Sequence, residues 1–231
     1  MTALPSTLDP AVRPRLGVLV LQADETLEDE FRAALPPGVS CQVGRVPSAA
    51  TVSSENLSAM EARLTAAAAL FPEGAEYDVV AYACTSATAR IGAAQVANRI
   101  REGVRTRHVT DPVTALIAGC RARGITRLAL VSPYVADVSA RLREVLDEAG
   151  IATPVFGSFE EAVEARVARI DAGSILEAGR ALVRRGPVEG LFLSCTNLRT
   201  RGVREALEAE LGLPVMSSNS VLMEHMLDLA Q

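Results

Sequence analysis

The chain contains no lysine: all 23 of its basic residues are arginine, in 231 residues with a net charge of -5. Without a lysine amine there is no Schiff-base catalysis and no internal pyridoxal aldimine. There is no C-x-x-C pair for zinc or redox chemistry, and the four cysteines (Cys41, Cys84, Cys120, Cys195) are too few and too unevenly spaced for a secreted disulfide framework. Reduced thiols in a cytoplasm are the expectation. No apolar run approaches the ~18 residues that a membrane span needs, and no basic run marks a nucleic-acid surface. G-x-G-x-x-G and G-x-x-x-x-G-K-[ST] are both missing, which argues against dinucleotide and nucleotide enzymes. Aromatic residues make up only 3% and tryptophan is absent, yet 49% of the residues are hydrophobic, enough for a globular core. The expected partner is a small molecule, with no nucleic acid and no membrane.

What is present is an alternation. Short apolar runs suited to buried parallel strands (16–21, 39–46, 79–83, 108–110, 128–132, 154–157, 190–194, 214–216) alternate with stretches of helical spacing (26–35, 54–71, 87–103, 112–123, 135–149, 172–185, 200–211, 217–229). That pattern predicts an α/β fold. Residues 1–14 lack the apolar stretch of a signal peptide and read as a flexible leader.

Sliding the chain against itself gives a weak repeat at an offset of about 110 residues. Arg15-Leu16-Gly17-Val18-Leu19-Val20, ending at Ala23-Asp24, matches Arg127-Leu128-Ala129-Leu130-Val131-Ser132, ending at Ala136-Asp137. Tyr77 to Thr85 matches Pro187 to Thr196, and both apolar strands end on Cys-Thr. Residues 109–112 match 215–218 more loosely. The expectation is two pseudo-symmetric Rossmann-like halves with parallel sheets: 15–115 joined by 221–231, and 116–220.

Ligands of open parallel sheets gather at the carboxyl ends of the strands, and Cys84 and Cys195 both fall there. A lone cysteine after a strand is ordinarily a small buried hydrophobe. The same Cys-Thr at the same place in two halves is hard to obtain from packing alone, and points to a thiol on each side of one ligand. A helix N-terminus lowers a thiol's pKa, so a thiolate near neutral pH is expected for one of the pair. No third ligand with zinc spacing accompanies them. Cys41 and Cys120 have no repeat partner, and His108 and His225 read as structural. None of the arginines falls within a cysteine motif, and Arg90, Arg166, Arg169 and Arg199 are left outside the candidate site.

The segments Ala83-Cys84-Thr85-Ser86-Ala87-Thr88 and Ser194-Cys195-Thr196-Asn197-Leu198, with Ser132-Pro133-Tyr134 between them, resemble the aspartate/glutamate racemase superfamily. They are most similar to its branch of maleate cis-trans isomerases, arylmalonate decarboxylases and ectoine-utilisation racemase-like proteins. The resemblance implies a cofactor-independent isomerase or racemase acting on a small dicarboxylate or amino-acid-like carboxylate, with its active site between the halves, Cys84 and Cys195 as the catalytic pair, and a place in ectoine breakdown. It implies that Thr85, Ser86 and Tyr134 hold one carboxylate and that Thr196 and Asn197 hold the other end of the substrate. A homo-oligomer is the expectation from size and fold class, since such enzymes are commonly symmetric oligomers. Arylmalonate decarboxylases keep only the cysteine equivalent to Cys195, so two thiols favour isomerisation. Decarboxylation by Cys195 alone and a non-catalytic carboxylate-binding protein are the alternatives. One departure stands out: maleate isomerases carry asparagine where this chain has Asp24, an acid that would repel a second carboxylate and could pair with an amino group, or could cap the helix near Leu27.

Overall fold

A computed structural model describes residues 4–8 and 14–231; most of the leader expected at 1–14 lies outside the described residues. The first half runs β1 (Arg15–Leu21), α1 (Leu27–Ala34), β2 (Ser40–Val46), α2 (Ser54–Ala59), α3 (Glu61–Ala68), β3 (Glu76–Ala83), α4 (Thr85–Ile91), α5 (Ala93–Gly103), β4 (Arg105–Thr110). Next come α6 (Pro112–Arg123), β5 (Arg127–Tyr134), α7 (Ala136–Glu148), β6 (Ala152–Glu161), α8 (Glu164–Val167), α9 (Ala172–Val183), β7 (Gly190–Leu193), α10 (Val203–Leu211), β8 (Val215–Ser217) and α11 (Ser218–Leu229).

The strands form two parallel four-stranded sheets with one topology, β2-β1-β3-β4 and β6-β5-β7-β8. The central strands are buried along nearly their whole length, because helices cover both faces of each sheet. That is why their sequences read as continuous apolar runs rather than alternating ones. In this strand order the chain goes one way from the first strand and the other way from the third, leaving a crevice at their carboxyl ends.

The halves exchange helices. After β4, α6 buries Leu116 and Cys120 against Leu128, Leu130 and Phe192 of the second sheet. After β8, α11 buries Leu222, Met223 and Met226 against Leu16, Val18 and Val79 of the first. A further cluster joins Leu19, Val80 and Tyr82 to Val131, Leu191 and Leu193, so one apolar core is continuous between the sheets.

Several local boundaries differ from the sequence reading. The helical stretch 87–103 begins at Thr85 and breaks at Gly92, whose φ of 97° lies where side-chain-bearing residues are strained. The stretch 54–71 is two helices meeting at Met60. Helix α8 has no counterpart in that reading, and no helix begins after Cys195 until Val203. No helix among the described residues is long and apolar enough to cross a membrane.

Candidate active site

Four strand ends converge at the crevice. Asp24 lies three residues past β1, Cys84 directly follows β3, Tyr134 ends β5, and Cys195 lies two residues past β7. With Thr85, Ser86, Thr196 and Asn197 they line one small cavity, so all eight residues singled out in the sequence come together. The cavity has two further walls, Leu21 and Glu164. A strap between the halves holds Glu164: Val52 N–H donates to the Ala162 carbonyl (2.8 Å) and Glu164 N–H to that of Ala50 (3.0 Å), while Thr51 and Val163 form an antiparallel bridge.

Each thiol is held differently. Cys84 is the N-cap of α4: its sulfur accepts the N–H of Ala87 (3.4 Å) and its carbonyl accepts that of Thr88 (3.0 Å). Thr85 and Ser86 open that helix, so their N–H groups have no intrahelical acceptor and are available to an anion. Cys195 has φ 103° in a stretch outside regular structure. Its N–H donates to Ser218 Oγ (2.9 Å), and its sulfur accepts the N–H of Asn197 (3.3 Å). Ser218 Oγ also lies 2.7 Å from Thr85 Oγ1, so one serine at the start of α11 ties the two cysteine motifs together.

A polar chain runs from Cys195 into the wall. Tyr134 Oη donates to Glu164 Oε1 (3.0 Å) and lies 2.9 Å from Cys195 Sγ. A phenol has one proton; with that proton on Glu164, the thiol is the donor to Tyr134. Glu164 Oε2 accepts from Asn197 Nδ2 (3.0 Å). The rest of the Asn197 amide is also engaged, Oδ1 by the N–H of Glu25 (2.8 Å) and Nδ2 by the carbonyls of Ala23 and Glu164. Thr196 donates to the Ala83 carbonyl (3.2 Å). Asn197, Thr196 and Tyr134 therefore brace the site through bonds within the protein while lining the cavity.

Asp24 fills the capping role weighed for it. Oδ1 accepts the N–H groups of Thr26 and Leu27 (2.9 Å each) and so caps the entry to α1. Oδ2 is buried with no hydrogen-bond partner, the neighbouring Thr196 hydroxyl being committed to Ala83.

The electrostatics overturn the expectation of a neutral-pH thiolate. Burial pushes Cys84 up to about 12; the Ala87 N–H opposes this, and the Glu164 and Asp24 charges add to it. Burial, then the Glu164 charge, holds Cys195 well above the ordinary thiol value. Burial also raises Asp24 and Glu164. Desolvation outweighs the helix N-terminus because no cation lines the cavity. The guanidinium whose charge acts on Asp24, Arg45, is spent on the carbonyls of Leu21 (3.0 Å) and Asp24 (2.8 Å) and on Glu28. Arg166 pairs with Glu161 (2.8 Å) and Arg90 reaches Ser58 (3.4 Å), outside the cavity.

Glu164 and Ser218 were not foreseen. Glu164 falls in the segment 163–170, which no motif anchors, although its place just after the second strand of its half is a strand-end position like the others. Ser218 lies in the loosest of the three repeat matches.

Two buried thiols from equivalent strand ends thus meet at one cavity of this α/β fold. Residues 47–229 match the model of the arylmalonate decarboxylase family, and the chain belongs to that family. It is 28% identical over 215 residues to a maleate isomerase of Nocardia farcinica, covering 88% of this chain and 85% of that protein. It is 32% identical over 111 residues to an arylmalonate decarboxylase of Bordetella bronchiseptica, covering 48% of this chain and 46% of that protein. Its fold matches a cysteine-to-serine variant of the Nocardia farcinica maleate cis-trans isomerase with a covalently bound succinylcysteine intermediate, at a TM-score of 0.84 and 26% identity, over 93% of this chain and 91% of that one. The chain is an isomerase-type enzyme of the branch that holds maleate isomerases and arylmalonate decarboxylases.

Proposed function

We propose that the protein is a cofactor-independent isomerase or racemase of a small carboxylate, with Cys84 and Cys195 acting from opposite sides of the substrate. The observation that carries this reading is the pairing itself: two buried thiols from equivalent strand ends in one cavity. The substrate carboxylate sits on the Thr85 and Ser86 N–H groups and the Ser86 hydroxyl, where charge developing at the neighbouring carbon is stabilised.

In the proton-transfer route, one cysteine as thiolate removes the proton on the carbon next to the carboxylate, the electron pair delocalises into that carboxylate, and the opposite thiol returns a proton to the other face. One thiol has gained a proton and the other has lost one. In the addition route, a thiolate forms a carbon–sulfur bond to one alkene carbon while the opposite thiol protonates the next; the new single bond rotates, and elimination with return of the proton gives the other geometry. The succinylcysteine of the Nocardia farcinica enzyme supports addition as chemistry this scaffold can carry. Where Cys195 acts as the thiolate, its proton leaves along the Tyr134–Glu164 chain with Glu164 as acceptor; where Cys84 is the thiolate, Cys195 keeps its proton and delivers it to the substrate.

Decarboxylation is the second reading, favoured by the family model: the carboxylate leaves as carbon dioxide and Cys195 protonates the resulting carbanion. Because both routes need free thiols, the protein belongs in a reducing compartment such as the cytoplasm. A role in ectoine breakdown rests on Asp24 alone, and assembly into a homo-oligomer remains part of the proposal.

Proton NMR in D2O with maleate, aspartate, glutamate, N-acetylated diaminobutyrate and phenylmalonate tests these routes. Conversion of the maleate vinyl signal to fumarate establishes addition, loss of an α-proton signal establishes proton transfer, and conversion of phenylmalonate establishes decarboxylation. Silence on every compound would move the reading to a carboxylate-binding protein.

A further inference from the structure

The only charged side chains lining the cavity among the described residues are two acids, Asp24 and Glu164, both more than nine-tenths buried. A substrate with two carboxylates would bring further negative charge into a wall that has no cation to balance it, where like charges are poorly screened. Glu164 is satisfied on both oxygens by Tyr134 and Asn197. Asp24 is satisfied on Oδ1 by two N–H groups, whereas beside its other oxygen stands only the Thr196 hydroxyl, which donates to the Ala83 carbonyl and leaves Oδ2 unpartnered. An unpartnered buried carboxylate oxygen is costly, and it is tolerated most readily where a ligand completes it.

We infer that the substrate carries a positively charged nitrogen close to its reacting carbon, seated against Asp24 Oδ2 and within the field of Glu164, with a single carboxylate at the opposite end. This narrows the proposed isomerase reading, on which it rests, to amino-acid-like substrates and away from dicarboxylates. The placement has a chemical consequence. Asp24 and Glu164 both act electrostatically on both thiols, so a cation entering between them offsets the charges that hold those thiols protonated. The substrate itself then supplies the positive charge that the wall lacks, and a thiolate forms only in the complex.

The test compares 2-aminobutyrate, 2-hydroxybutyrate and maleate, measuring binding by ligand-detected NMR and turnover by α-deuteration in D2O or conversion to fumarate. Expected for the native protein is binding and α-deuteration of 2-aminobutyrate, weaker binding of 2-hydroxybutyrate, and no binding of maleate. Asp24→Asn keeps the Oδ1 acceptor that caps α1; it should weaken 2-aminobutyrate by roughly 10- to 100-fold, the worth of a charge-assisted hydrogen bond, and improve the binding of maleate. Circular dichroism of the variant confirms that the fold is intact. If the native protein prefers maleate and Asp24→Asn weakens it, the acids serve as protonated donors to a dianion. That overturns the inference and leaves the isomerase reading standing. If nothing binds or turns over with either protein, both fall together.

Discussion

The two halves present the same strand end twice and furnish it differently. In the first half Cys84 has an extended backbone (φ -150°) and opens a helix at once. In the second, Cys195 has φ 103°, a conformation that costs a side-chain-bearing residue about 1–3 kcal/mol, and it is steadied by Ser218. The acids differ as well. Asp24 faces the cavity, whereas Asp137, its counterpart in the repeat, is exposed and bonds to Ser54 (3.2 Å). Tyr134 and Glu164 give Cys195 a chain that ends on a carboxylate, whereas the tyrosine beside Cys84, Tyr82, turns its hydroxyl to Met60 Sδ (3.4 Å). Duplication thus supplies the position of both thiols, and unpaired residues divide the labour: a proton outlet behind Cys195 and an unpartnered acid on the β1 side.

The largest effect should come from removing either thiol. Cys84→Ser and Cys195→Ser are each expected to lower kcat about a thousandfold, within the usual range for a lost acid–base group. A Cys84→Ser variant that kept its activity would break the equivalence of the halves and favour decarboxylation by Cys195. Next in size is Tyr134→Phe, which cuts the chain from Cys195 to Glu164 and leaves the hydrogen bond from Ala87 N–H to Cys84 in place. Its kcat should fall roughly 10- to 100-fold, with a stronger primary deuterium isotope effect from the one enantiomer whose α-proton Cys195 removes. Equal effects from both enantiomers would mean that Tyr134 serves the two thiols alike.

The strength of the repeat governs what the sequence could tell. Cys84 and Cys195 could be read because matched apolar strands lead into both, and the parallel α/β architecture because buried central strands need continuous apolar runs. The helix breaks at Met60 and Gly92 could not, since alanine-rich stretches keep helical spacing across a single interrupted turn. Glu164 escaped because its role depends on the strap from Ala50 to Val52, a contact made across 110 residues of chain with no local pattern. The thiol electrostatics escaped for a related reason. A helix N-terminus is visible in a sequence, whereas the depth of burial and the commitment of Arg45 to backbone carbonyls become visible only in three dimensions.

A smaller effect tests the acid that marks the first half. Burial raises Asp24 above its ordinary value, so its contribution to stability is fullest below about pH 4 and is lost as pH rises through the raised value. Asp24→Asn should therefore raise Tm at neutral pH, with the gain shrinking as the pH is lowered. A gain independent of pH would mean that Oδ2 is not a buried charge.

The smallest effect compares the two cysteine backbones directly. Cys84→Gly and Cys195→Gly each delete a buried side chain whose sulfur accepts one N–H, from Ala87 in one case and Asn197 in the other. On burial and chain entropy alone each should cost about 1–2 kcal/mol. Only Cys195 starts from a φ that glycine adopts freely, so relief of that strain should offset its loss. Urea unfolding should show Cys195→Gly less destabilised than Cys84→Gly by about 1 kcal/mol, provided the backbone at Cys195 stores strain that Ser218 and the surrounding core restrain. Equal losses would instead mean that Cys195 holds its φ without strain, and that the two strand ends differ in proton chemistry alone.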